Sequence, residues 1–213
     1  MPWIEQLQSA NWRQGSFILL GAYLLGCFTT GYYLVRWRKG QDIRSLGSCN
    51  VGAKNVGRLL GWPGFVLTSA GDSIKGALAV WLARFFSNDD TFAGLALLAV
   101  VAGHVWPAQL RFHGGKGVVT SLGALVIFDF RLAAAFALLF VLTMAVLRKS
   151  VLAGLVAFAA LPLASLCLDR PPATIMIASL MAALILITHR KNLLAELWPF
   201  LPRPNLKNQP PEL

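Results

Sequence analysis

The sequence predicts an all-α integral membrane protein with seven transmembrane helices, its N-terminus outside and its C-terminus in the cytoplasm. Of its 213 residues, 56% are apolar and only 13% are charged, whereas a water-soluble domain usually carries about 25% charged residues. The mean hydropathy is +0.62. Apolar runs long enough to cross a bilayer recur along the chain, and basic residues concentrate in alternate loops. The abundance of Leu, Ala, Val and Phe excludes an intrinsically disordered chain.

Seven apolar segments are the candidate spans. The first has 20 residues, enough for the roughly 30 Å hydrocarbon layer at about 1.5 Å per residue. The second contains Asp72 and Lys75, and the fourth is short for a full span. In chain order the predicted helices cover residues 16–35, 58–86, 92–110, 117–129, 132–147, 151–168 and 173–188. We expect residues 1–213 to form a single membrane-embedded domain, in which 199–213 is an irregular cytoplasmic tail.

The distribution of basic residues sets the predicted orientation. Threading the helices alternately through a bilayer puts fourteen of the 19 Lys and Arg residues on one side. Arg13, Arg84, Arg131 and Arg170 fall on the other side, and Lys75 falls in the membrane. Cytoplasmic loops carry an excess of Lys and Arg, so the basic side is predicted to be the inner one. The net charge of +10 therefore indicates a membrane protein and not a protein that binds nucleic acid.

Residues 42–58 form the first of three unusual segments on the predicted inner face. Glycines let backbone N–H groups approach a ligand, while Ser, Asn, Lys and Arg side chains supply hydrogen bonds and charge. This mixture suits a phosphate group. The alternative is a solvated loop whose basic residues face anionic lipid.

The second segment runs from Gly103 to Gly117 and opens the fourth predicted helix. A Gly-rich turn that leads into a helix directs unpaired N–H groups and the positive dipole end at one point, where Lys116 adds a full charge. The segment is not a Walker loop, because Leu110 replaces the required Gly and Gly117 replaces the Ser or Thr that would hold magnesium. His104 is either a ligand group beside this turn or a hydrogen-bonded structural histidine.

Two further groups of polar residues leave alternatives open. His189 and Asn192 are spaced to share one helix face with Glu196, as a polar stripe towards the site or as an ordinary cationic helix end. Asp72 and Lys75 lie one turn apart within a predicted span, where ionisable groups normally pair. We expect a structural ion pair that holds a helix bend, with a direct role in substrate binding as the alternative.

These segments resemble the signatures of the PlsY family, the bacterial integral-membrane acyl-phosphate glycerol-3-phosphate acyltransferases. Residues 47–58 resemble its Gly-Ser-Gly-Asn-x-Gly-Ala-Thr-Asn-x-x-Arg signature, with Cys49 in place of Gly and Lys54 in place of Thr. Residues 103–107 and 112–120 resemble its second signature, with Trp106 in place of Phe and His113 in place of Lys. Residues 71–76 resemble its Asp-x-x-Lys-Gly element, and His189 begins a diverged third signature.

The resemblance implies a multi-pass enzyme of the bacterial cytoplasmic (inner) membrane that works in phospholipid synthesis. Such an enzyme transfers a fatty acyl group from acyl phosphate to the 1-hydroxyl of glycerol 3-phosphate, giving lysophosphatidate and phosphate. No cofactor, metal or nucleic acid is expected, and the partners are the two substrates and membrane lipids. The expected catalytic residues are Ser48, Lys116, His189 and Asn192. The expected substrate-binding residues are Asn50, Lys54, Asn55, Arg58, His104, Gly114, Gly115 and Gly117.

Two other functions stay open at this point. A diverged paralogue would acylate a different acceptor, and Lys54 and the altered third signature are the residues that favour this alternative. A non-catalytic transporter or membrane scaffold would instead have a continuous polar path through the bundle.

Overall fold

The computed structural model describes residues 11–87 and 89–197, and within these ranges the chain is helical with no strand. The predicted tail at 199–213 lies outside the described residues. The helices are α1 (Trp12–Cys27), α2 (Thr30–Lys39), α3 (Ala53–Phe86), α4 (Asp90–Val105), α5 (Val118–Phe128), α6 (Phe130–Leu147), α7 (Ser150–Cys167), α8 (Pro172–Thr188) and α9 (Arg190–Leu197). Short 3₁₀ turns occur at Ile43–Ser45 and Ala108–Leu110. The all-helical prediction is confirmed.

Several of these helices suit a bilayer. Among the described residues, four segments are long and apolar enough to cross a membrane: Trp12–Lys39, Asp90–Leu110, Phe130–Leu147 and Ser150–Cys167. Val118–Phe128 and Pro172–Thr188 are also apolar but shorter. Six of the seven predicted spans correspond to one helix each, from α3 to α8.

The prediction of one continuous helix over residues 16–35 is wrong, because the chain breaks between α1 and α2 at Phe28 and Thr29. The ammonium of Lys75 donates hydrogen bonds to the freed carbonyls of Gly26 (3.1 Å) and Phe28 (2.6 Å). On the other side of the break, the hydroxyl of Thr30 donates to Asp72 Oδ1 at 3.1 Å. Unpaired backbone groups are costly inside a membrane, so the polar pair on α3 stabilises a break that apolar periodicity does not reveal.

Helix α3 begins five residues before the predicted start at Arg58, at Ala53. It is kinked at Gly61, whose φ of +73° is left-handed, and Pro63 follows two residues later. A left-handed residue is tolerated there because glycine has no Cβ, and Pro63 lacks an N–H for the helical ladder. The kink separates the first two turns of α3, which carry Lys54 and Arg58, from its long apolar part.

Helix α5 packs so closely against α3 that glycines of each helix contact the backbone of the other. A Cβ on Gly123 would lie 2.0 Å from the carbonyl oxygen of Ser73, and a Cβ on Gly76 would lie 2.2 Å from that of Thr120. Such small-residue contacts let transmembrane helices approach closely. Helix α4 runs through the core with Leu97, Val100 and other residues fully buried. Close packing against α3 thus holds the short α5 in place and fixes the position of its N-terminus.

Replacing Gly123 by Ala tests this contact. The added methyl collides with backbone and not with a flexible side chain, so we expect destabilisation of about 1–3 kcal/mol and a lower Tm in detergent. Gly21→Ala is the matched control, because nothing lies within 4 Å of its Cβ position and Ala is the better helix former by about 1 kcal/mol. Equal Tm values for the two variants would contradict the close packing of α3 and α5.

Candidate functional site

Two cavities lie side by side at the end of the bundle where α3, α5 and α7 begin. The first, which we call the polar cavity, has a volume of about 590 Å³ and is lined by the loops at 44–50 and 105–116 and by residues 187–192. The second, the apolar cavity, has a volume of about 320 Å³ and extends between α3, α5, α6 and α7, where Phe136 and Phe140 line it. Lys116 lines both cavities. The arrangement therefore joins a cationic compartment to a hydrophobic one at a single lysine.

The Gly-rich turn forms the wall between the cavities. Gly114 and Gly115 donate backbone hydrogen bonds to the carbonyls of Val105 and His104, each at 3.0 Å. Gly115 must lack a side chain, because a Cβ there would lie 2.0 Å from His104 Nε2. Gly117, with a φ of +83°, is the N-cap of α5. The glycines thus fold the chain tightly over His104 and then start α5 at the apolar cavity.

Three helix N-termini converge on the apolar cavity. Its lining includes the N-cap and first residue of α3 (Gly52, Ala53), the N-cap and first residue of α5 (Gly117, Val118) and the first residue of α7 (Ser150). None of these three helices has a side-chain hydrogen bond at its N-cap. The N-caps of α1, α4 and α6, by contrast, are Asn11, Asp89 and Asp129, whose side chains accept backbone N–H bonds. Uncapped N–H groups and helix dipoles favour an anion.

Two lysines add positive charge to this cavity. Lys116 donates a hydrogen bond to Asn192 Oδ1, and Lys54 donates one to Ser150 Oγ at 2.8 Å. Burial lowers the pKa of Lys116, and the charge of Lys54 lowers it further. Burial also lowers the pKa of Lys54, with a smaller contribution from Arg58. The pKa shifts agree with a concentration of cations that an anion would stabilise.

His189 follows the last residue of α8 and is only 6% exposed. Its Nδ1 lies 2.9 Å from the carbonyl oxygen of Ile185. A carbonyl oxygen only accepts, so Nδ1 carries the proton of the neutral ring and Nε2 keeps its lone pair. Burial, together with the charges of Lys116 and Lys54, lowers the pKa of His189, although the bond to Ile185 acts in the opposite direction. The ring is therefore neutral near pH 7, with Nε2 as a proton acceptor.

The loop at 42–52 is held by internal contacts. Asn55 is buried; its Oδ1 accepts the N–H of Ser48 at 3.0 Å, and its Nδ2 donates to the carbonyls of Leu46 and Asn50 at 2.9 Å each. Arg44 reaches across to the carbonyl of Leu110 at 2.7 Å. These bonds place Ser48 and Asn50 in the wall of the polar cavity, opposite the Gly-rich turn.

Inside the membrane part, the expected ion pair is confirmed. Lys75 Nζ lies 3.0 Å from Asp72 Oδ1, and both side chains are buried. The pair stabilises the break between α1 and α2 and does not bend its own helix. Lys75 Nζ also lies 2.8 Å from His104 Nδ1, so the pair adjoins the candidate site.

Ten of the twelve predicted site residues line one or both cavities. The polar cavity is lined by Ser48, Asn50, Gly114, Gly115, Lys116 and Asn192, and the apolar cavity by Lys54, His104, Lys116, Gly117 and His189. Asn55 and Arg58 line neither: Asn55 holds the loop, and Arg58 is exposed and contributes its charge near Lys54. The side chain of Glu196 lies outside the described part of the chain.

Sequence reasoning missed several residues of the site. Ser150 binds Lys54, and Arg44 joins the first loop to the second. Phe65, Phe136 and Phe140 line the apolar cavity. A serine directly after Arg148 and Lys149 at a helix start could have indicated Ser150, but an aromatic side chain within an apolar span carries no such signal. Within residues 11–87 and 89–197, no three His, Cys, Asp or Glu side chains are grouped to hold a metal.

Comparison with known proteins links this geometry to one family. The family described as Glycerol-3-phosphate acyltransferase matches residues 16–197. Glycerol-3-phosphate acyltransferase 1 of Desulfitobacterium hafniense is 46% identical over 83% of this chain and 88% of its own length. Its namesake from Bacillus anthracis is 37% identical over 81% and 92%. The crystal structure of PlsY (YgiH), an integral membrane glycerol 3-phosphate acyltransferase in its glycerol 3-phosphate form, is 33% identical, with a TM-score of 0.80 over 90% of this chain and 96% of that one.

Proposed function

Because this chain belongs to the glycerol-3-phosphate acyltransferase family and is an integral membrane acyltransferase, we propose that acyl phosphate is its donor. The reaction transfers the fatty acyl group to the 1-hydroxyl of glycerol 3-phosphate and releases lysophosphatidate and phosphate. One observation carries the proposal: a cationic cavity and an apolar cavity meet at Lys116. A phosphorylated polar acceptor and a phosphorylated lipid donor need such a pair of compartments.

Each cavity suits one substrate. The polar cavity, with Arg44, Arg190 and Lys191 in its lining, holds glycerol 3-phosphate. Ser48, Asn50 and Asn192 supply neutral hydrogen bonds there. The apolar cavity holds the donor: its phosphate lies near Lys54 and Lys116 at the three uncapped helix N-termini, and its acyl chain runs along Phe136 and Phe140 in the wall of the cavity. Lys116 contacts both phosphorylated groups at the junction.

The chemistry needs no covalent intermediate on the enzyme, because acyl phosphate is already an activated mixed anhydride. The 1-hydroxyl oxygen of glycerol 3-phosphate attacks the carbonyl carbon and forms the new C–O bond. The C–O bond to phosphate then breaks, and phosphate leaves with the electron pair. The hydroxyl proton passes to His189 Nε2, with a phosphate oxygen of the donor as the alternative acceptor. Positioning and charge stabilisation supply most of the acceleration.

The position of Lys54 supports glycerol 3-phosphate as the acceptor. Lys54 departs from the family signature, and a new cation in the acceptor site would favour a changed acceptor. Its side chain lines the apolar cavity, however, and contacts Ser150 at the start of α7. The substitution therefore affects the donor side and leaves the polar cavity suited to the usual acceptor.

The same proposal includes seven spans in the bacterial cytoplasmic membrane, formed by residues 1–213 as one domain, with the N-terminus outside. Helices α1 and α2 together form the first span, and α3 to α8 form the others. Arg36, Arg38 and Lys39 end α2, at the same end of the bundle as both cavities, and Arg148 and Lys149 precede α7 there. The positive-inside rule then gives a cytoplasmic site, which water-borne glycerol 3-phosphate can reach.

Purified protein in liposomes tests the reaction. With acyl phosphate and glycerol 3-phosphate, we expect lysophosphatidate and phosphate in equal amounts. Lys116→Ala should lower kcat/KM by about 100-fold or more, because the lost charge faces both phosphorylated groups, and Lys116→Arg should retain part of the activity. Phosphate release no higher than that of Lys116→Ala would refute the proposal. If phosphate is released only when lysolipids or other alcohols replace glycerol 3-phosphate, the acceptor has changed. Solute flux across the membrane without acyl transfer would indicate a transporter.

The pH dependence of kcat tests His189. Its Nε2 accepts a proton only while the ring is neutral, so kcat should fall as the pH falls through the pKa of His189. That pKa is lowered from its usual 6.5, so activity should persist below pH 6.5. His189→Ala should lower kcat by about 10²–10⁴-fold and abolish this acidic limb. If His189→Ala instead keeps kcat within about threefold of the wild-type value, a phosphate oxygen of the donor is the proton acceptor.

Cys49 tests the orientation. It is exposed in the loop at the polar cavity, and Cys27 is buried. In a Cys167→Ser background, a membrane-impermeant maleimide should label inside-out vesicles and spare right-side-out vesicles. Cys49→Ser in the same background is the control and should abolish labelling. Labelling of right-side-out vesicles would overturn the proposed orientation.

A further inference from the structure

The surroundings of Lys75 define the hydrogen-bonding state of His104. The Lys75 ammonium lies within 3.1 Å of three oxygen acceptors, the carbonyls of Gly26 and Phe28 and Asp72 Oδ1, and of the ring nitrogen Nδ1 of His104. An ammonium has three protons and no lone pair, so it can only donate. A proton on His104 Nδ1 would point at this ammonium across 2.8 Å, and Asp72 Oδ1, at 3.7 Å from Nδ1, is too far to accept it. His104 Nδ1 therefore presents its lone pair to Lys75. A ring whose Nδ1 accepts carries its single proton on Nε2.

The Nε2–H group of His104 faces the site. His104 is only 3% exposed and lines the apolar cavity. The tip of the ring points to Gly115, since Nε2 is the atom nearest to the Cβ position of that glycine. In the part of the chain that the structure describes, no hydrogen-bond acceptor contacts Nε2. A buried donor beside Lys116 is thus left available to a ligand.

The two histidines of the apolar cavity are held in opposite tautomers. His189 donates from Nδ1 to the carbonyl of Ile185, which leaves a lone pair on Nε2. His104 accepts at Nδ1 from Lys75, which leaves a proton on Nε2. One ring can therefore only accept at its free nitrogen, and the other can only donate. Paired groups with opposite environments commonly divide the proton acceptor and the electrophile between them.

We propose that His104 donates a hydrogen bond from Nε2 to the acyl carbonyl oxygen of the donor, and that Lys75 is a positioning residue that fixes this tautomer. The assignment of the bound group rests on the proposed function. Negative charge develops on that oxygen as the acceptor hydroxyl attacks, and a preorganised donor in an apolar cavity stabilises it. Lys75 does not touch substrate; it acts through Nδ1 of His104. Asp72 keeps the ammonium of Lys75 paired in the membrane.

Two substitutions of His104 separate this role from a purely structural one. A Gln side chain places its amide NH₂ near the position of Nε2, whereas an Asn side chain reaches only the position of Nδ1 and keeps a contact with Lys75. We expect His104→Gln to retain kcat within about tenfold and His104→Asn to lose about 100-fold or more, the effect of removing one such donor. The KM for glycerol 3-phosphate should be unchanged in both variants. Equal losses, or a more active His104→Asn, would overturn the proposal.

The tautomer can be measured without turnover. The chain contains only three histidines, so ¹⁵N-histidine labelling of the full protein gives three ring spectra, which His113→Asn and His189→Ala assign. We expect the proton of His104 on Nε2 and that of His189 on Nδ1. A proton on Nδ1 of His104 would overturn the proposal. If the tautomer is as expected but wild-type protein transfers no acyl group, the proposed function fails and the positioning by Lys75 stands.

A double variant tests Lys75 directly. Asp72→Asn combined with Lys75→Met removes the ammonium and avoids an unpaired buried charge. We expect His104 to populate both tautomers and kcat to fall while the KM for glycerol 3-phosphate stays constant. An unchanged tautomer would contradict the role of Lys75. Should this double variant fail to fold, the wild-type spectrum and the Gln and Asn variants still decide the proposal.

Discussion

The buried ammonium of Lys75 connects the fold of this protein to its chemistry. It satisfies two carbonyls at the break between α1 and α2, pairs with Asp72 and contacts His104. A lone lysine in the membrane is costly, and the break between the helices would be costly too without a donor for its carbonyls. Each element therefore offsets the cost of the other. The same contacts fix one ring of the site, so the membrane ion pair acts on both stability and geometry.

The position of the site follows from the direction of the helices. Helices α3, α5 and α7 begin at the same end of the bundle, and their first residues line one cavity. The helices that begin with a capping Asn or Asp side chain start elsewhere in the bundle and do not line this cavity with their first residues. Helices α2 and α8 also lack a side-chain hydrogen bond at the N-cap, and they start away from this cavity. The convergence of three uncapped helix starts on one cavity, and not a missing cap by itself, therefore favours an anion there.

Much of this arrangement was predictable from sequence, because apolar runs and glycine-rich cationic segments have local signatures. Residues such as Lys116 and Ser48 belong to such segments, and each lines a cavity. The break at Phe28 was not predictable, since it depends on Lys75, 47 residues away. Asn55 resembled a binding residue, yet its amide is used entirely within its own loop. The tautomers of both histidines likewise depend on partners that only the folded chain brings together.

Under the proposed function, the charge of the apolar cavity would let it select a phosphorylated lipid over other lipids. Burial lowers the pKa of Lys116 and of His189; the charge of Lys54 lowers both further, and that of Lys116 adds to the shift of His189. Three uncapped helix N-termini add positive potential of the same sign. Asp72, the only carboxylate among the described residues of the lining, is paired with Lys75. A neutral lipid tail would fill the cavity and leave the repulsion between Lys54 and Lys116 in place. A phosphate group would relieve that repulsion. With acyl phosphate as the proposed donor, affinity would depend on the group that the reaction releases, and the same cations would stabilise phosphate as its bond to the acyl carbon breaks.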